Sequence, residues 1–305
     1  MTVQLKRFLV DLSRITTIQD AAEWTGLSWD TVKDAVKEQL QRDYARIRLK
    51  ELKRLAIDEL YLGRRKKYIT LVTDYDSGRI VWVGRGRGQE ALQGFWRRLK
   101  ASGARVEAVA MDMSHAYAAA VAQKLPGALV VFDRFHVVKK MNEALDELRR
   151  ELVRQAESPD ERLAIKGTRW LLLYRRDRLD AEQHTRLEEV LRANAPLACA
   201  YILKEELNLL WEQPDRLAGI GFLRRWCVKA LQSSLLPLRA LVKTLLRHAK
   251  GILSYFSTGG MTNARMEGIN RKIRALLSQV YGFRDDDFLT LKLYSLHEAK
   301  HKLVG

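Results

Sequence analysis

Between residues 17 and 40, in TIQDAAEWTGLSWDTVKDAVKEQL, apolar positions recur three and four apart, the period of a helix face. Thr17 with Asp20 fits the start signature of a first helix. Ala21 and Ala22 are small enough for close packing, Gly26 permits a turn and Leu27 anchors it. Ser28 opens a second helix with Val32, Val36 and Leu40 on one face. This is a helix-turn-helix pattern, whose second helix commonly enters the major groove of DNA, although an ordinary helical hairpin leaves the same trace.

From residue 54 the apolar positions close into short β-rich runs. RLAIDELYL (54–62) predicts a strand, and KYITLVTDYDSGRIVWV (67–83) a hairpin turning at Asp76, Ser77 and Gly78. Residues 89–100 suit an amphipathic helix. A strand over 106–112, a helix from Ser114 to Leu125, a stop at Pro126 and Gly127, and a strand over 128–133 follow. In the order β-β-β-α-β-α-β, strands joined by short turns pair antiparallel and strands separated by helices add in parallel. The class is α/β with a mixed sheet.

Residues 136 to about 258 read as almost wholly helical, with helix stops at Pro159, Pro196 and Pro214 and no repeat. The loop FSTGGMTN (256–263) leads into ARMEGINRKIRALLSQV, with Asn263 at its cap. There Ile269, Ile273, Leu276 and Val280 form an apolar stripe, while Glu267, Asn270, Arg271 and Arg274 share another face. Tyr281 and Gly282 end this helix, and one more begins at Asp285.

Charge adds a partner to this outline. Lys and Arg number 54 against 37 Asp and Glu, a net charge of +17 over 305 residues. A chain so basic ordinarily meets a polyanion, with nucleic acid ahead of an anionic membrane surface or a ribosomal setting. No run approaches the length of a membrane span, the N-terminus does not read as a signal peptide, and Cys199 and Cys227 form no CxxC pair. A reducing cytoplasm is the expected setting.

The candidate chemistry lies at strand ends. The stretch VEAVAMDMSHAYAAAVAQKLPGALVVFDRFHVV (106–138) holds two apolar runs, each ending in an aspartate. In open α/β sheets ligands gather beyond the strand carboxyl ends. If the first strand neighbours the strand before Asp112, the carboxylates of Asp58 and Asp112 converge. Converging carboxylates raise one another's pKa unless a cation neutralises them, and hard oxygen donors suit Mg²⁺ or Mn²⁺. The competing reading makes Asp112 a cap for the following helix.

Asp133 and His136, just after the second apolar run, can orient the strand end or cap the helix that begins at His136. Asp74 and Asp76 read as turn residues, with Asp74 the substitute for Asp58, and alternation points Glu59 away from Asp58. Arg85 and Arg87, in GRGRG, could bind phosphate or lie in a solvated loop. Trp29, Trp96, Trp170, Trp211 and Trp226 are expected to pack rather than to stack on bases.

Three stretches carry a resemblance to a known family. AVAMDMSHAYAAAVAQKLPGALVVFDRFHVVKKMNEALDELRRE and TNARMEGINRKIRALLSQVYGFRD, and more loosely LAIDELYLGRRKKYITLVTDYDSGRIVWVGRGR, resemble DDE insertion-sequence transposases of the ISL group first described from lactobacilli. The resemblance covers roughly residues 15–300. It implies a ribonuclease-H-like fold with a helical insertion: a helix-turn-helix region over 1–48, a catalytic core over 49–138 and 259–305, and the insertion over 139–258. It implies that Asp58, Asp112 and Glu267 are the catalytic, metal-holding triad and that Asp133 and His136 sit close to it as auxiliaries; Asn270, one turn beyond Glu267, is expected to assist at the site or to touch phosphate.

Expected DNA contacts are Ser28, Trp29, Thr31 and Lys33 on the second helix, Arg85 and Arg87 in the loop, and Arg271 and Arg274 on the last long helix. The expected partners are double-stranded DNA, as element terminal inverted repeats and as target, and further copies of the chain in a synaptic complex at the bacterial nucleoid; no membrane is implied. Members of the group usually carry a cysteine zinc-binding segment ahead of the helix-turn-helix. Its absence here reads as a shortened member, a truncated copy or a start-site choice. Two rivals accompany this reading: a transposase-derived protein that binds DNA without cutting, and a ribonuclease-H-like nuclease of another kind.

Overall fold

A computed structural model describes residues 1–63, 67–279 and 285–297. Val280, Tyr281 and Gly282, expected at the end of the long helix, lie outside the described residues. Helices α1 (Val3–Ile15), α2 (Ile18–Thr25) and α3 (Trp29–Tyr44) open the chain. Strands β1 (Arg54–Gly63), β2 (Lys67–Asp74) and β3 (Ile80–Arg85) follow, then a 3-10 turn at Gln89–Leu92 leading into α4 (Gln93–Ser102). Next come β4 (Ala108–Met111), α5 (His115–Lys124) and β5 (Leu129–Phe132). The helices α6 (Arg134–Gln155), α7 (Pro159–Lys166), α8 (Arg169–Leu173), α9 (Ala181–Ala193), α10 (Ala195–Asn208), α11 (Arg216–Gln232) and α12 (Leu236–Ser257) precede α13 (Ala264–Ser278) and α14 (Asp286–Tyr294). Among the described residues no helix is long and apolar enough to cross a membrane. The chain divides into two compact units, Met1–Ala128 with Asn263–Gly305, and Leu129–Thr262.

In the first unit, local chemistry sets the N-terminal helices. Thr17 and Asp20 form a reciprocal capping box at the start of α2, and Ser28 accepts from the Thr31 N–H to cap α3. Gly26 takes a left-handed conformation, φ 67°, between the two helices. Val32, Val36 and Leu40 are buried, as are Ala21 and Ala22. Helix α1 was not expected from the sequence; Leu9, Val10 and Leu12 put it into the same core. Phe288 of α14 enters that core as well, so α14 is part of the N-terminal helical module.

The sheet of this unit runs β3-β2-β1-β4. β1 pairs antiparallel with β2, β2 antiparallel with β3, and β1 parallel with β4. That mixed order is the expected ribonuclease-H-like arrangement. The β2–β3 turn is fixed by Asp74, whose carboxylate accepts from the Asp76 N–H and the Ser77 hydroxyl. β4 is shorter than expected because only Ala108–Met111 pair; the chain leaves the sheet at Asp112.

The second unit begins with β5, on which α12 packs: the Phe132 ring lies against Gly251 and edge-on to His248, centroids 5.0 Å apart. Trp226 is buried and donates its indole N–H to the Leu203 carbonyl at 2.9 Å. Lys204 is buried too and donates to the carbonyls of Leu172 and Tyr174. Two expected stops have a second role. Pro159 and Pro196 sit in the first turns of α7 and α10, where a missing N–H costs nothing. Not every tryptophan packs inward: Trp170 is 58% exposed, beside the Arg169 guanidinium, and Trp29 is 44% exposed.

Candidate active site

The parallel register of β1 and β4 brings two carboxylates level. Arg54 pairs with Ala108 and Ala56 with Ala110, an offset of 54 (108 − 54). The same offset joins Asp58 to Asp112 (112 − 58 = 54), two residues beyond the last paired position. Because β4 has ended, the edge of β1 is uncovered there, and a pocket of about 190 Å³ opens, lined by Ile57, Asp58, Glu59, Asp112, Ser114 and Tyr117. Ser114, and not Asp112, occupies the N-cap position of α5.

Alternation sends Asp58 and Glu59 to opposite faces of β1, yet both reach this pocket at the strand's open edge. On one face the Glu59 carboxylate accepts from the Tyr117 hydroxyl at 2.7 Å. On the other, helix α13 docks: Met266 sulfur accepts from Thr73, and the Asn270 amide donates to Asp58 Oδ2 at 2.6 Å. Asp58 Oδ1 accepts from the Glu59 N–H at 2.8 Å. Asn270 is therefore an inward residue, 8% exposed, and not the polar-face residue that the sequence pattern implied.

Glu267 is arranged differently. Its side chain is 61% exposed and accepts from Arg271 at 2.5 Å, one turn along α13. Among the described residues no group of three or more His, Cys, Asp or Glu side chains stands close enough to hold a metal. The structure thus brings Asp58 and Asp112 to one pocket and leaves Glu267 outside a three-carboxylate cluster.

The model of a transposase family, DDE of the ISL3 type, matches residues 55–293, which is most of the chain. The chain belongs to the ISL3-type DDE transposases. It is 33% identical over 297 residues to the transposase for insertion sequence element IS1001 of Bordetella parapertussis, covering 96% of this chain and 73% of that protein. It is 29% identical over 300 residues to the transposase for insertion sequence element IS1557 of Mycobacterium tuberculosis, covering 90% of this chain and 67% of the relative. A solved Drosophila P element transposase strand transfer complex aligns over 97% of this chain and 91% of its own, with TM-score 0.48 and 11% identity.

The basic side chains of this transposase are partly committed inside the fold. Lys33 lies 3.5 Å and Lys37 2.7 Å from Asp285 Oδ2, so Lys33 is not a free phosphate ligand. Those lysines and the Phe288 N–H hold the Asp285 carboxyl down at about 2. Lys33 also lies 5.6 Å from the centroid of the Trp29 ring. The Ser28 and Thr31 hydroxyls bond each other at 2.8 Å. Arg85 reaches Asp287 at 3.5 Å and Asp286 at 3.6 Å, while Arg87 lies over the Tyr68 ring. Arg274 is exposed on α13.

Asp74 is held in its turn and is no substitute for Asp58. In the second unit Asp133 sits at the N-cap position of α6, 6% exposed, with His136 Nδ1 3.6 Å from its Oδ2. The sequence reading passed over Tyr117, a lone phenol on an alanine-rich helix.

Two level aspartates in one open cleft are hard oxygen donors, and that donor set fits a divalent cation of the Mg²⁺ or Mn²⁺ type. Glu267, as it lies in its ion pair with Arg271, does not complete the set.

Proposed function

We propose that this transposase cuts and joins phosphodiesters at the ends of an insertion sequence, with Asp58, Asp112 and Glu267 as its carboxylate triad and Mg²⁺ or Mn²⁺ as cofactor. The observation that carries the reading is the level placement of Asp58 and Asp112 at the open edge of β1. Two carboxylates in one cleft repel, and a cation between them removes that penalty. A bound divalent ion supplies Lewis-acid polarisation of the phosphoryl group and lowers the pKa of the attacking water or 3′-hydroxyl.

The chain's own groups orient the rest. Asn270 holds the Asp58 carboxylate in one rotamer, so its orientation is set before DNA arrives. Glu267 joins the pair when a DNA phosphate draws Arg271 away, an exchange of one ion pair for another. Water attacks the phosphorus in line and the P–O3′ bond breaks, the leaving oxygen taking up a proton as a 3′-hydroxyl; that hydroxyl attacks a target phosphodiester in the same geometry, loses its proton and displaces the target's own 3′-oxygen. Exposed arginines, Arg271 and Arg274 among them, meet the backbone, and two element ends are held by more than one copy of the chain. The helix-turn-helix over 1–48 contacts the terminal repeats, and the helices of 139–258 form the insertion. Asp133 and His136 serve as auxiliaries.

The outward Glu267 favours one alternative, a transposase-derived protein that binds DNA without cutting. Duplexes that carry the element ends, incubated with Mg²⁺ or Mn²⁺ and target DNA, separate the two. Strand cleavage followed by joining supports the transposase; binding with neither reaction supports the alternative; cleavage indifferent to the ends and without joining marks a nuclease of another kind.

A further inference from the structure

Tyr117 stands where the carboxylate pocket meets the GRGRG loop of residues 84–88. Only 3% of its surface is exposed. Its hydroxyl donates to Glu59 Oε1 at 2.7 Å, accepts from the Gly88 N–H at 2.8 Å and lies 3.0 Å from Thr70 Oγ1. Thr70 in turn donates to the Gly86 carbonyl at 3.0 Å, and the Gly86 N–H donates to the Tyr68 carbonyl at 2.8 Å. Glu59 and Thr70 are cross-strand partners in the β1–β2 register. Gly86 is thus tied to β2 and Gly88 to Tyr117 of α5, and Arg87 between them is exposed. Gly86 and Gly88 take φ of 84° and 100°, a conformation that strains any other residue.

Filling space does not require this network. A phenylalanine fills the same volume, and a buried hydroxyl stabilises a fold only when its bonds are made. Burial pushes the Tyr117 phenol up to about 12, so it remains a proton donor across the working pH range. Its one proton goes to Glu59, a wall of the same pocket that Asp58 and Asp112 line. Tyr117 is thus the one side chain that bonds both a wall of that pocket, Glu59, and the loop at Gly88, while Thr70 ties the loop to β2 at Gly86.

We propose that Tyr117 is a positioning residue for phosphoryl transfer: it locks the arginine loop in register with the Asp58–Asp112 pocket, so that a DNA strand with one phosphate in the pocket meets Arg87 with a neighbouring phosphate. This rests on the function proposed above and adds to it the part of the substrate that the loop reads, the phosphate backbone beside the reacting bond. Arg87 is the operative cation, because it adjoins Gly88, whose N–H the Tyr117 hydroxyl holds.

The test measures binding of the full chain to a duplex oligonucleotide by fluorescence anisotropy over a salt series, without divalent metal. Arg87→Gln should flatten the dependence of log K on log[salt] by about one unit, the loss of one phosphate contact. Tyr117→Phe should flatten it by about the same amount, and the double variant by no more than either alone. Thr70→Val, which cuts the tether to Gly86, should behave like Tyr117→Phe and serves if that variant fails to fold. With metal, Tyr117→Phe should lower the single-turnover cleavage rate at least tenfold. A wild-type salt slope in both tether variants, or fully additive losses in the double variant, overturns the proposal. If the parent chain cleaves no DNA at all, the function reading falls while the slope measurement still decides whether Tyr117 acts through Arg87.

Discussion

The Asn270 side-chain amide donates to the Asp58 carboxylate at 2.6 Å, one helical turn beyond Glu267. The bond joins the last long helix to the central strand and fixes the orientation of one of two pocket carboxylates. A hydrogen bond to a charged group is worth about 1.5–3 kcal/mol. Asn270→Ala should therefore slow single-turnover cleavage roughly ten- to a hundredfold with DNA affinity little changed. Asn270→Asp should be worse, because it sets a second acid against Asp58. A cleavage rate unmoved by either substitution removes Asn270 from the account.

Lys292 on α14 gives a prediction about pH. Its amine is buried, donates to the Ser13 carbonyl at 2.6 Å, and is lowered by burial, then by the charge of Arg14, to about 8 from 10.5. Between those values the unfolded chain binds more protons than the folded one, so stability rises with pH through that window. Urea melts should show this rise between pH 8 and 10.5, and Lys292→Met should abolish it.

Asp285 works with the opposite sign. Hydrogen bonds from Lys37 and the Phe288 N–H hold its pKa at about 2, below the ordinary 3.8. Its contribution to the docking of α14 on α3 is present above 3.8 and is lost as pH falls through about 2. Asp285→Asn should lower the melting temperature at pH 7, and the gap from the parent should close as the medium is acidified through that range.

Gly251 lies against the Phe132 ring in the second unit, where an added methyl group would collide with it. Gly251→Ala should cost about 1–3 kcal/mol, the usual penalty for overpacking. Denaturant titration of the intact chain checks this, with loss of the Phe132–His248 ring contact as the structural correlate.

What could be read in advance was mostly local. The Thr17–Asp20 capping box, the Ser28 cap and the Asp76–Gly78 turn depend on residues within a few positions, and each formed as expected. The convergence of Asp58 and Asp112 was legible only on the condition that their strands are neighbours, and β1 does pair in parallel with β4. Long-range commitments were not legible. Lys33 looked available for DNA until Asp285 arrived from the other end of the sequence. Asn270 sits on the boundary between two faces of α13, and only the docking of that helix on β1 turns it inward. Tyr117 gave no signal, since its three partners come from β1, β2 and a loop. Trp170 and Trp29 were expected to pack, but side-chain size says nothing about which face a helix buries.

The deciding comparison is metal-dependent strand cleavage by the parent chain and by Asp112→Asn on end-bearing duplex DNA, with binding measured in parallel. Asp112 lies level with Asp58 in the pocket, and the substitution keeps its size while removing its charge. The expected result is cleavage by the parent, loss of cleavage by about a thousandfold or more in the variant, as for removal of a group that stabilises the transition state, and unchanged DNA affinity. Full cleavage by Asp112→Asn would contradict the assignment of this pocket as the site where DNA is cut.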